Sequence, residues 1–305
     1  LMFLSLTHPS HQNEIYSAQT YYTRAHRGDR SDFVAVYDAS TLNPIAEIPI
    51  PPKRAVTKPT LYNAAITDND QFMLINNFTP AMSVSVVDVK ARKFIGEIES
   101  SGCVLIYPTG ARSFQMLCGD GTLLSVHLDK KGKLLKKAKS KNFFDPMKDG
   151  VQEEAVRFAN QWLYFSNEAD IFPVDISQKE PTFPASWSLL TKTDREESWR
   201  PGGVQPLTVH EGTKRLYIVM HQGNDYSHDD PGKEIWVFDL KTKKRVQRIS
   251  TENLVASIHV SHDAKPLLFT TFPGSPSLDI YDAISGEYLR TVSGLGYSPM
   301  VLQSQ

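Results

Sequence analysis

The sequence lacks the features that mark several large classes of protein. It has no apolar run near the ~20 residues that a membrane-spanning helix needs, and its formal net charge is −1 over 305 residues. Because nucleic acids and anionic membranes select proteins with a basic surplus, this balance argues against either partner. Residues 1–5 have neither the basic start nor the cleavage site of a signal peptide. We expect them to be the inside of a strand, in a chain whose upstream sequence is missing.

Catalytic and metal-binding motifs are also absent from the sequence. There is no G-x-S-x-G, H-E-x-x-H or C-x-x-C motif and no G-x-x-x-x-G-K-[ST] phosphate loop. His228, Asp229 and Asp230 lie in a polar segment where a metal is conceivable, although a solvated loop is the simpler interpretation. We therefore expect no catalytic residue on this chain, and no metal or cofactor held by it alone.

What the sequence does contain is a repeat of β-strand patterns. Alternating apolar residues lead to an aspartate, a short polar turn and a second strand, most clearly at Asp38, Asp88, Asp239 and Asp282 and more weakly at 124–128 and 171–175. The aspartate is expected to close the turn by accepting backbone N–H groups. A further hairpin signal precedes most copies, and only 187–199 looks helical. Four strands per unit, in about six units, predict an all-β chain, a β-propeller of one domain over 1–305.

The two cysteines, Cys103 and Cys118, flank a predicted hairpin. Strands are expected at 104–107 and 114–117, with a turn at 108–111. This arrangement puts the two sulfurs on adjacent strands, where they could form a disulfide. Two buried free thiols are the alternative, since cysteine is often a core residue.

Several uncommon motifs resemble the amine dehydrogenase heavy-chain family, which comprises the heavy subunits of methylamine dehydrogenase and aromatic amine dehydrogenase. They occur in order along nearly the whole chain: R-G-D-R-S-D at 27–32, F-T-P-A at 78–81, the two cysteines followed by G-D-G at 119–121, S-W-R-P-G-G at 198–203, and the segments 260–268 and 295–299. Thr79 stands where the family has serine. The family's heavy chain also begins some tens of residues upstream of Leu1, and a phenylalanine that lines its substrate entrance lies in that part.

The resemblance implies a seven-bladed propeller whose first blade is incomplete in this sequence, although six blades are possible. It implies a disulfide between Cys103 and Cys118. It also implies a non-catalytic heavy subunit, assembled as two heavy and two light chains. The light subunit would carry the tryptophan tryptophylquinone cofactor and the catalytic base for oxidative deamination of primary amines. Electrons would pass to an amicyanin-like blue-copper protein or a cytochrome c in the periplasm.

The segment Trp199-Arg200-Pro201-Gly202-Gly203 is the main site hypothesis, together with Phe78 and Pro80. We expect a long loop before a strand at 204–210, and the loop would touch the light subunit or line the channel beneath it. Tryptophan and arginine are enriched at interface hot spots, and paired glycines permit close backbone approach. In the alternative, Trp199 packs within its own blade and Arg200 pairs with an acid such as Glu196 or Glu197. The alternative functions are a stand-alone propeller scaffold and a propeller hydrolase or lactonase with converging metal ligands.

Overall fold

The computed structural model describes residues 5–9, 12–55, 58, 60–296 and 298–303. Of the strand expected at 1–5, residues 1–4 lie outside the described residues, and Ser5 is the first residue of a strand. Within them the chain forms 25 β-strands, one short α-helix and one 3-10 turn. The prediction of an all-β chain is therefore confirmed.

The strands form six antiparallel sheets, which fall into two compact units that divide between Phe143 and Phe144. Each unit contains three sheets. The described residues therefore match the expected number of about six repeat units. The seven-bladed ring and the single domain over 1–305 stay predictions.

The first unit contains three four-stranded sheets in which each strand pairs with the next along the chain. The first sheet consists of β1 (Ser5–Thr7), β2 (Glu14–Arg24), β3 (Arg27–Asp38) and β4 (Pro44–Ile50). The second sheet follows a 3-10 turn (Leu61–Asn63) and consists of β5 (Ala64–Ile66), β6 (Phe72–Asn77), β7 (Ser83–Asp88) and β8 (Lys93–Glu99). The third sheet consists of β9 (Cys103–Gly110), β10 (Ser113–Cys118), β11 (Leu123–Leu128) and β12 (Leu134–Lys139).

The second unit repeats this plan with one variation. The fourth sheet consists of β13 (Val151–Phe158), β14 (Gln161–Ser166), β15 (Asp170–Asp175) and β16 (Trp187–Ser188), and helix α1 (Lys192–Glu196) follows it. The fifth sheet consists of β17 (Trp199–Pro201), β18 (Leu207–His210), β19 (Arg215–Gln222), β20 (Gly232–Asp239) and β21 (Lys244–Val255). Both β17 and β18 pair with β19, so they amount to one first strand interrupted at 202–206. The sixth sheet consists of β22 (Ser257–Val260), β23 (Leu267–Thr271), β24 (Ser277–Asp282) and β25 (Tyr288–Ser293).

The core of each unit lies between its sheets, and the middle sheet contributes to both layers. Along β6, Phe72 and Leu74 pack with the third sheet, whereas Met73 and Ile75 pack with the first. In β19, Leu216 and Ile218 face the fourth sheet and Tyr217 faces the sixth. Successive side chains of a strand point to opposite faces, so a strand covered on both faces is apolar throughout.

Every sheet has an aspartate at the end of its third strand, and this aspartate closes the turn to the fourth strand. In the first sheet Asp38 Oδ1 accepts the N–H groups of Ser40 at 3.0 Å and Thr41 at 2.8 Å. The equivalent carboxylates accept backbone N–H groups in the other five sheets: Asp88, Asp129, Asp175, Asp239 and Asp282. The role predicted for the aspartates is confirmed in the four clear repeats and at Asp175, and Asp129, which directly follows the weak repeat at 124–128, has the same role.

Three local predictions were wrong in their boundaries. The turn expected at 108–111 lies at 111–112, because β9 continues to Gly110. The helical stretch expected at 187–199 is helical only over Lys192–Glu196, where Thr191 and Asp194 form a capping box. The strand expected at 204–210 begins at Leu207.

Candidate functional site

The Trp199–Pro201 segment is a strand, so the prediction of a long loop was wrong for its first three residues. In β17 Arg200 lies opposite His221, and Pro201 lies opposite Met220 of β19. Proline is tolerated in this position because β17 is a short edge strand. The loop itself is confined to residues 202–206.

The indole of Trp199 packs on its own sheet, as the alternative interpretation expected. Its ring centroid lies 5.2 Å from that of Trp236, which is fully buried. The Arg248 guanidinium carbon lies 4.7 Å from the Trp199 ring and 4.9 Å from the Trp236 ring. Glu234 accepts hydrogen bonds from Arg248 Nε and Trp236 Nε1, both at 2.7 Å. Cation–π and charge-assisted contacts therefore fix this end of the sheet.

The Arg200 guanidinium holds two loops together. It donates to the carbonyl oxygens of Asn167 at 3.1 Å and Gly223 at 3.3 Å. It also pairs with Glu168, at 3.5 Å, and with Asp225. The alternative interpretation, in which Arg200 pairs with an acid, is therefore right about the kind of partner, but the acids are not Glu196 or Glu197. Glu168 lies in the β14–β15 loop and Asp225 in the β19–β20 loop. Both residues are more than twenty positions from Arg200 in the sequence, so spacing along the chain did not indicate them.

Gly202 and Gly203 lie where no side chain fits. A Cβ on Gly202 would stand 2.5 Å from His221 Cε1, and one on Gly203 would stand 2.4 Å from the Ala256 carbonyl oxygen. Gly203 also has φ +125° and donates its N–H to His228 O at 3.0 Å. The close backbone approach predicted for the paired glycines is confirmed.

His221 is a buried residue of this site that the sequence analysis missed. Ser227 donates its hydroxyl to Asn224 O at 2.6 Å, so His221 Nε2, 2.8 Å from the same hydroxyl oxygen, carries the proton and donates it. The buried Nδ1 atom has no hydrogen-bond partner among the residues that the structure describes. Burial lowers the pKa of His221, so the ring is neutral near pH 7. No motif surrounds His221, and only the pairing with Arg200 reveals it.

The loop at 224–230 covers this strand and presents an exposed aromatic residue. Tyr226 is 89% exposed, although its backbone N–H is fixed by Asn224 Oδ1 at 2.9 Å. Asp225 and Asp229 are exposed beside it. We call residues 199–203 and 224–230 together the WRPGG surface. It is an aromatic and acidic surface on a backbone held by hydrogen bonds.

Phe78 and Pro80 belong to the first unit, whereas the WRPGG surface belongs to the second. They lie in the β6–β7 loop, where Phe78 is 41% exposed and the Thr79–Pro80 peptide bond is cis. The Asn77 amide anchors this loop by donating to Ser83 Oγ at 3.0 Å. In each sheet the loop between the second and third strands lies at the end opposite the aspartate turn. The β6–β7 loop and the 224–230 loop hold this same position in their own sheets.

The two cysteines are joined in a disulfide, as the resemblance implied. Cys103 lies directly opposite Cys118 in the β9–β10 register. Their N–H groups bond instead to Ser100 and Thr122 carbonyls, so the two cysteines form a non-hydrogen-bonded pair. Side chains at such pairs are the closest in an antiparallel sheet, which explains how the bridge forms.

A separate cavity of about 360 Å³ lies in the second unit, lined by Arg157, Val209, His210, Glu211, Gly212 and His262. His210 Nδ1 accepts the Thr213 N–H at 3.1 Å, so its Nε2 donates to Asp263 O at 3.0 Å. In the described residues no group of three or more His, Cys, Asp or Glu side chains is placed to hold a metal ion. The expectation that this chain holds no metal or cofactor stays a prediction.

Comparison with known proteins identifies the family. A model of the methylamine dehydrogenase heavy chain (MADH) family matches residues 7–305. The chain belongs to the methylamine dehydrogenase heavy chain family. It is 30% identical over 287 residues to the methylamine dehydrogenase heavy chain of Methylophilus methylotrophus, covering 93% of this chain and 70% of that one. The heavy chain of Methylorubrum extorquens is 31% identical over 289 residues, covering 94% and 70%. That of Paracoccus versutus is 31% identical, covering 93% and 67%.

Two solved structures share the fold of this heavy-chain family member. The dihydro-heme d1 dehydrogenase NirN superposes with a TM-score of 0.60 at 16% identity, over 95% of this chain and 56% of the NirN chain. Kluyveromyces lactis Hsv2p superposes with a TM-score of 0.56 at 8% identity, over 92% and 74%. At such identities the likeness concerns the fold alone. None of the helices in the described residues has the length and apolar character to cross a membrane.

Proposed function

We propose that this chain is the heavy subunit of a tryptophan tryptophylquinone-dependent amine dehydrogenase that oxidatively deaminates primary amines in the periplasm. The match of the heavy-chain family to residues 7–305 is the observation that carries the proposal. The enzyme would contain two heavy and two light chains, and it would pass electrons to an amicyanin-like blue-copper protein or a cytochrome c. The disulfide between Cys103 and Cys118 supports an oxidising compartment.

The proposal assigns the quinone cofactor and the catalytic base to the light subunit. When bound, the quinone supplies the electron sink for amine oxidation. This chain would help to position the light subunit and to wall the substrate entrance. The candidate contacts in the first unit are Phe78 and Pro80, and the candidate contact in the second unit, taken by itself, is the WRPGG surface. Arg200, through its ion pair with Asp225, and Gly203, through its N–H bond to His228 O, act by holding the 224–230 loop in place.

Tyr226 is the side chain of the WRPGG surface best suited to anchor a partner. It is almost fully exposed on a loop whose backbone is already ordered. Ordering a loop before binding lowers the entropy cost of association, and tyrosine is enriched at hot spots. We therefore expect Tyr226 to become buried against the light subunit.

The function is tested by purifying this chain from cells that express it together with its light-subunit partner. We expect a small co-purifying chain with quinone absorbance, and dye reduction that depends on a primary amine. Recovery of this chain without such a partner, or a complex that oxidises no primary amine, would overturn the proposal.

The interface is tested by Tyr226→Ala in the reassembled enzyme. Loss of a hot-spot tyrosine is expected to weaken subunit association by about 1–3 kcal/mol, roughly 5- to 150-fold in Kd, as measured by titration calorimetry. Arg200→Ala is expected to weaken it by a similar amount through the loosened loop.

The matched control is Met147→Ala, because Met147 is 91% exposed in the same unit but lies outside the WRPGG surface. Circular dichroism establishes that each variant is folded. Equal affinities for wild type, Tyr226→Ala and Met147→Ala would place the interface elsewhere without touching the assignment to the heavy-chain family.

A further inference from the structure

The outer strand of the third sheet and its flanking residues concentrate positive charge. Between positions 130 and 141 the sequence has seven lysines and no acidic residue, in a chain whose net charge is −1. We call residues 130–141 the lysine ribbon. Its charge is hidden in the net value because the rest of the chain has an acidic excess.

The lysine ribbon is exposed and yet well ordered. β12 pairs with β11 on one side, and in the described residues its other edge pairs with no strand. Leu135 is 71% exposed and Leu134 is 44% exposed. The turn that leads into the strand is fixed by Asp129 Oδ1, which accepts the N–H groups of Lys131 and Lys133 at 2.8 and 2.9 Å. The ammonium groups and both leucines are thus presented on a fixed backbone.

Four of the seven lysines of the ribbon, at positions 130, 131, 133 and 137, have no ion pair within the part of the chain that the structure describes. Lys139 Nζ pairs with Asp120 at 2.6 Å, and Lys137 Nζ donates to the uncharged Glu99 carbonyl oxygen at 3.0 Å. In the described residues the ammonium groups of Lys130, Lys131 and Lys133 form no direct ion pair, and the Asp129 carboxylate acts on the Lys131 and Lys133 ammonium groups only through the longer-range attraction of their charges. By contrast, on the outer strand β21 Arg245 pairs with Asp194 at 3.0 Å and Arg248 with Glu234 at 2.7 Å.

Protection of a sheet edge does not account for seven lysines. Exposed edge strands do use lysine to deter pairing with other chains. The strand β12 alone has three lysines and no acidic residue. By comparison β4 has one glutamate as its only charged residue, β8 has one lysine and two glutamates, and β25 has one arginine. The outer strand β21 also has three basic residues, but two of them are in ion pairs. The excess on β12 therefore points to a binding partner with dense negative charge.

The composition of the ribbon favours a lipid surface over a protein. Protein interfaces are depleted of lysine and enriched in arginine and aromatic residues, and 130–141 contains neither. Clusters of four to eight basic residues attract anionic headgroups, and adjacent apolar side chains enter the interfacial layer. We propose that the lysine ribbon docks this protein peripherally on the surface of an anionic phospholipid bilayer.

The test is sedimentation of the full chain, with any co-purifying partner, on vesicles. Vesicles of phosphatidylcholine mixed with phosphatidylglycerol are compared with vesicles of phosphatidylcholine alone. We expect binding to the mixed vesicles only, and release by about 0.5 M salt, because screening shortens the reach of surface charges to a few ångströms. The variant Lys130→Glu/Lys131→Glu/Lys133→Glu is expected to lower the partition coefficient at least roughly a hundredfold.

The matched control is Lys241→Glu/Lys243→Glu/Lys244→Glu, which makes the same charge change at the corresponding turn of the fifth sheet. It is expected to keep the partition coefficient within a few-fold of wild type. Leu135→Ser, which removes an exposed apolar group without a change in charge, is expected to lower it several-fold.

Absence of binding to the mixed vesicles at low salt would overturn the proposal, as would equal losses in the two triple variants. Salt-sensitive binding to duplex DNA or to an acidic protein, with none to the vesicles, would overturn the lipid assignment.

Discussion

Two adjacent glycines determine how tightly the WRPGG surface is built. Gly202 leaves room for the buried His221, and Gly203 lies against the backbone at Ala256. The N–H groups of Val204 and Gln205 then both bond to the Ala256 carbonyl, at 2.7 and 3.0 Å. The absence of two methyl groups thus allows the fifth sheet to join the start of the sixth.

Gly203→Ala is expected to destabilise the protein by at least about 2 kcal/mol, since it combines strain at positive φ with a clash against a carbonyl oxygen. The control is Gly294→Ala in the same unit, where φ is +82° but nothing lies within 4 Å of an added Cβ. That variant is expected to lose about 1 kcal/mol from the φ strain alone. Urea unfolding followed by tryptophan fluorescence measures both, and equal losses would show that the contact with Ala256 is not tight.

Predictions for single residues were right where they depended on the residue type alone. They were wrong where they depended on contacts with residues far away in the sequence. The need for glycine at 202 and 203 could be inferred from the residue type. The acids that pair with Arg200 could not, because Glu168 and Asp225 are brought to it by strand pairing. His221 was missed for the same reason.

At the scale of elements, the pairing register of β9 and β10 decides between a disulfide and two free thiols, the two alternatives that the cysteine spacing left open. The hairpin of β9 and β10 has irregular pairing near both ends, and Leu105 adopts φ +61°. These irregularities bring Cys103 opposite Cys118. Spacing alone could not distinguish a bridge from two thiols, since a shift of one residue would separate the sulfurs onto opposite faces.

Cys103→Ser/Cys118→Ser is expected to lower the free energy of unfolding by about 3 kcal/mol, the entropic value for a closed loop of 15 residues. The measurement is urea unfolding of the double variant beside the oxidised wild type. Reduced wild-type protein is the control and should resemble the variant. A variant as stable as the oxidised protein would show that the bridge contributes nothing to stability.

The boundaries at 187–210 were mispredicted because no element there is longer than five residues. β17 has three residues and includes a proline, so it carries no periodic pattern. It exists because β19 offers it a partner across an intervening sequence of about twenty residues. Such strands come from tertiary pairing rather than from local propensity.

On the scale of the whole molecule, the repeat of four-stranded sheets was predictable because the same aspartate-closed turn recurs along the sequence. The aspartate at the end of each third strand is a local signal, and it closes the turn in all six described sheets. The distribution of charge over the surface was not predictable from the net value. A net charge of −1 argued against an anionic partner, yet it averages over a strand with seven nearby lysines and an acidic remainder.

The aspartate turns give the whole molecule a defined response to acid. Hydrogen bonds from the turns lower the pKa of five of these carboxyl groups in the folded state: Asp38, Asp129, Asp175, Asp239 and Asp282. A carboxyl group whose folded pKa is lowered stabilises the protein above its unfolded pKa of about 3.9, and this contribution is lost as pH falls through the folded value. Histidines add a loss of stability that begins at a higher pH. Desolvation of the half-buried His259 lowers its pKa to about 4, below the unfolded value of about 6.5.

The variant Asp282→Asn tests the contribution of one aspartate turn to the pH dependence of stability without changing any histidine. Asparagine keeps an acceptor oxygen but lacks the negative charge that strengthens the hydrogen bonds from the N–H groups of Ile284 and Ser285. We expect the variant to be less stable than wild type at pH 7, and the deficit to be smaller at pH 3, because pH 3 lies below the unfolded pKa of about 3.9 and the wild-type contribution is being lost there. The free energy of unfolding in urea at both pH values measures this difference. Asp263→Asn is the control, since the exposed Asp263 carboxylate makes no hydrogen bond in the described structure, and it should match wild type at both pH values. A deficit for Asp282→Asn that is the same at pH 7 and pH 3 would mean that the turn does not depend on the charge of its aspartate.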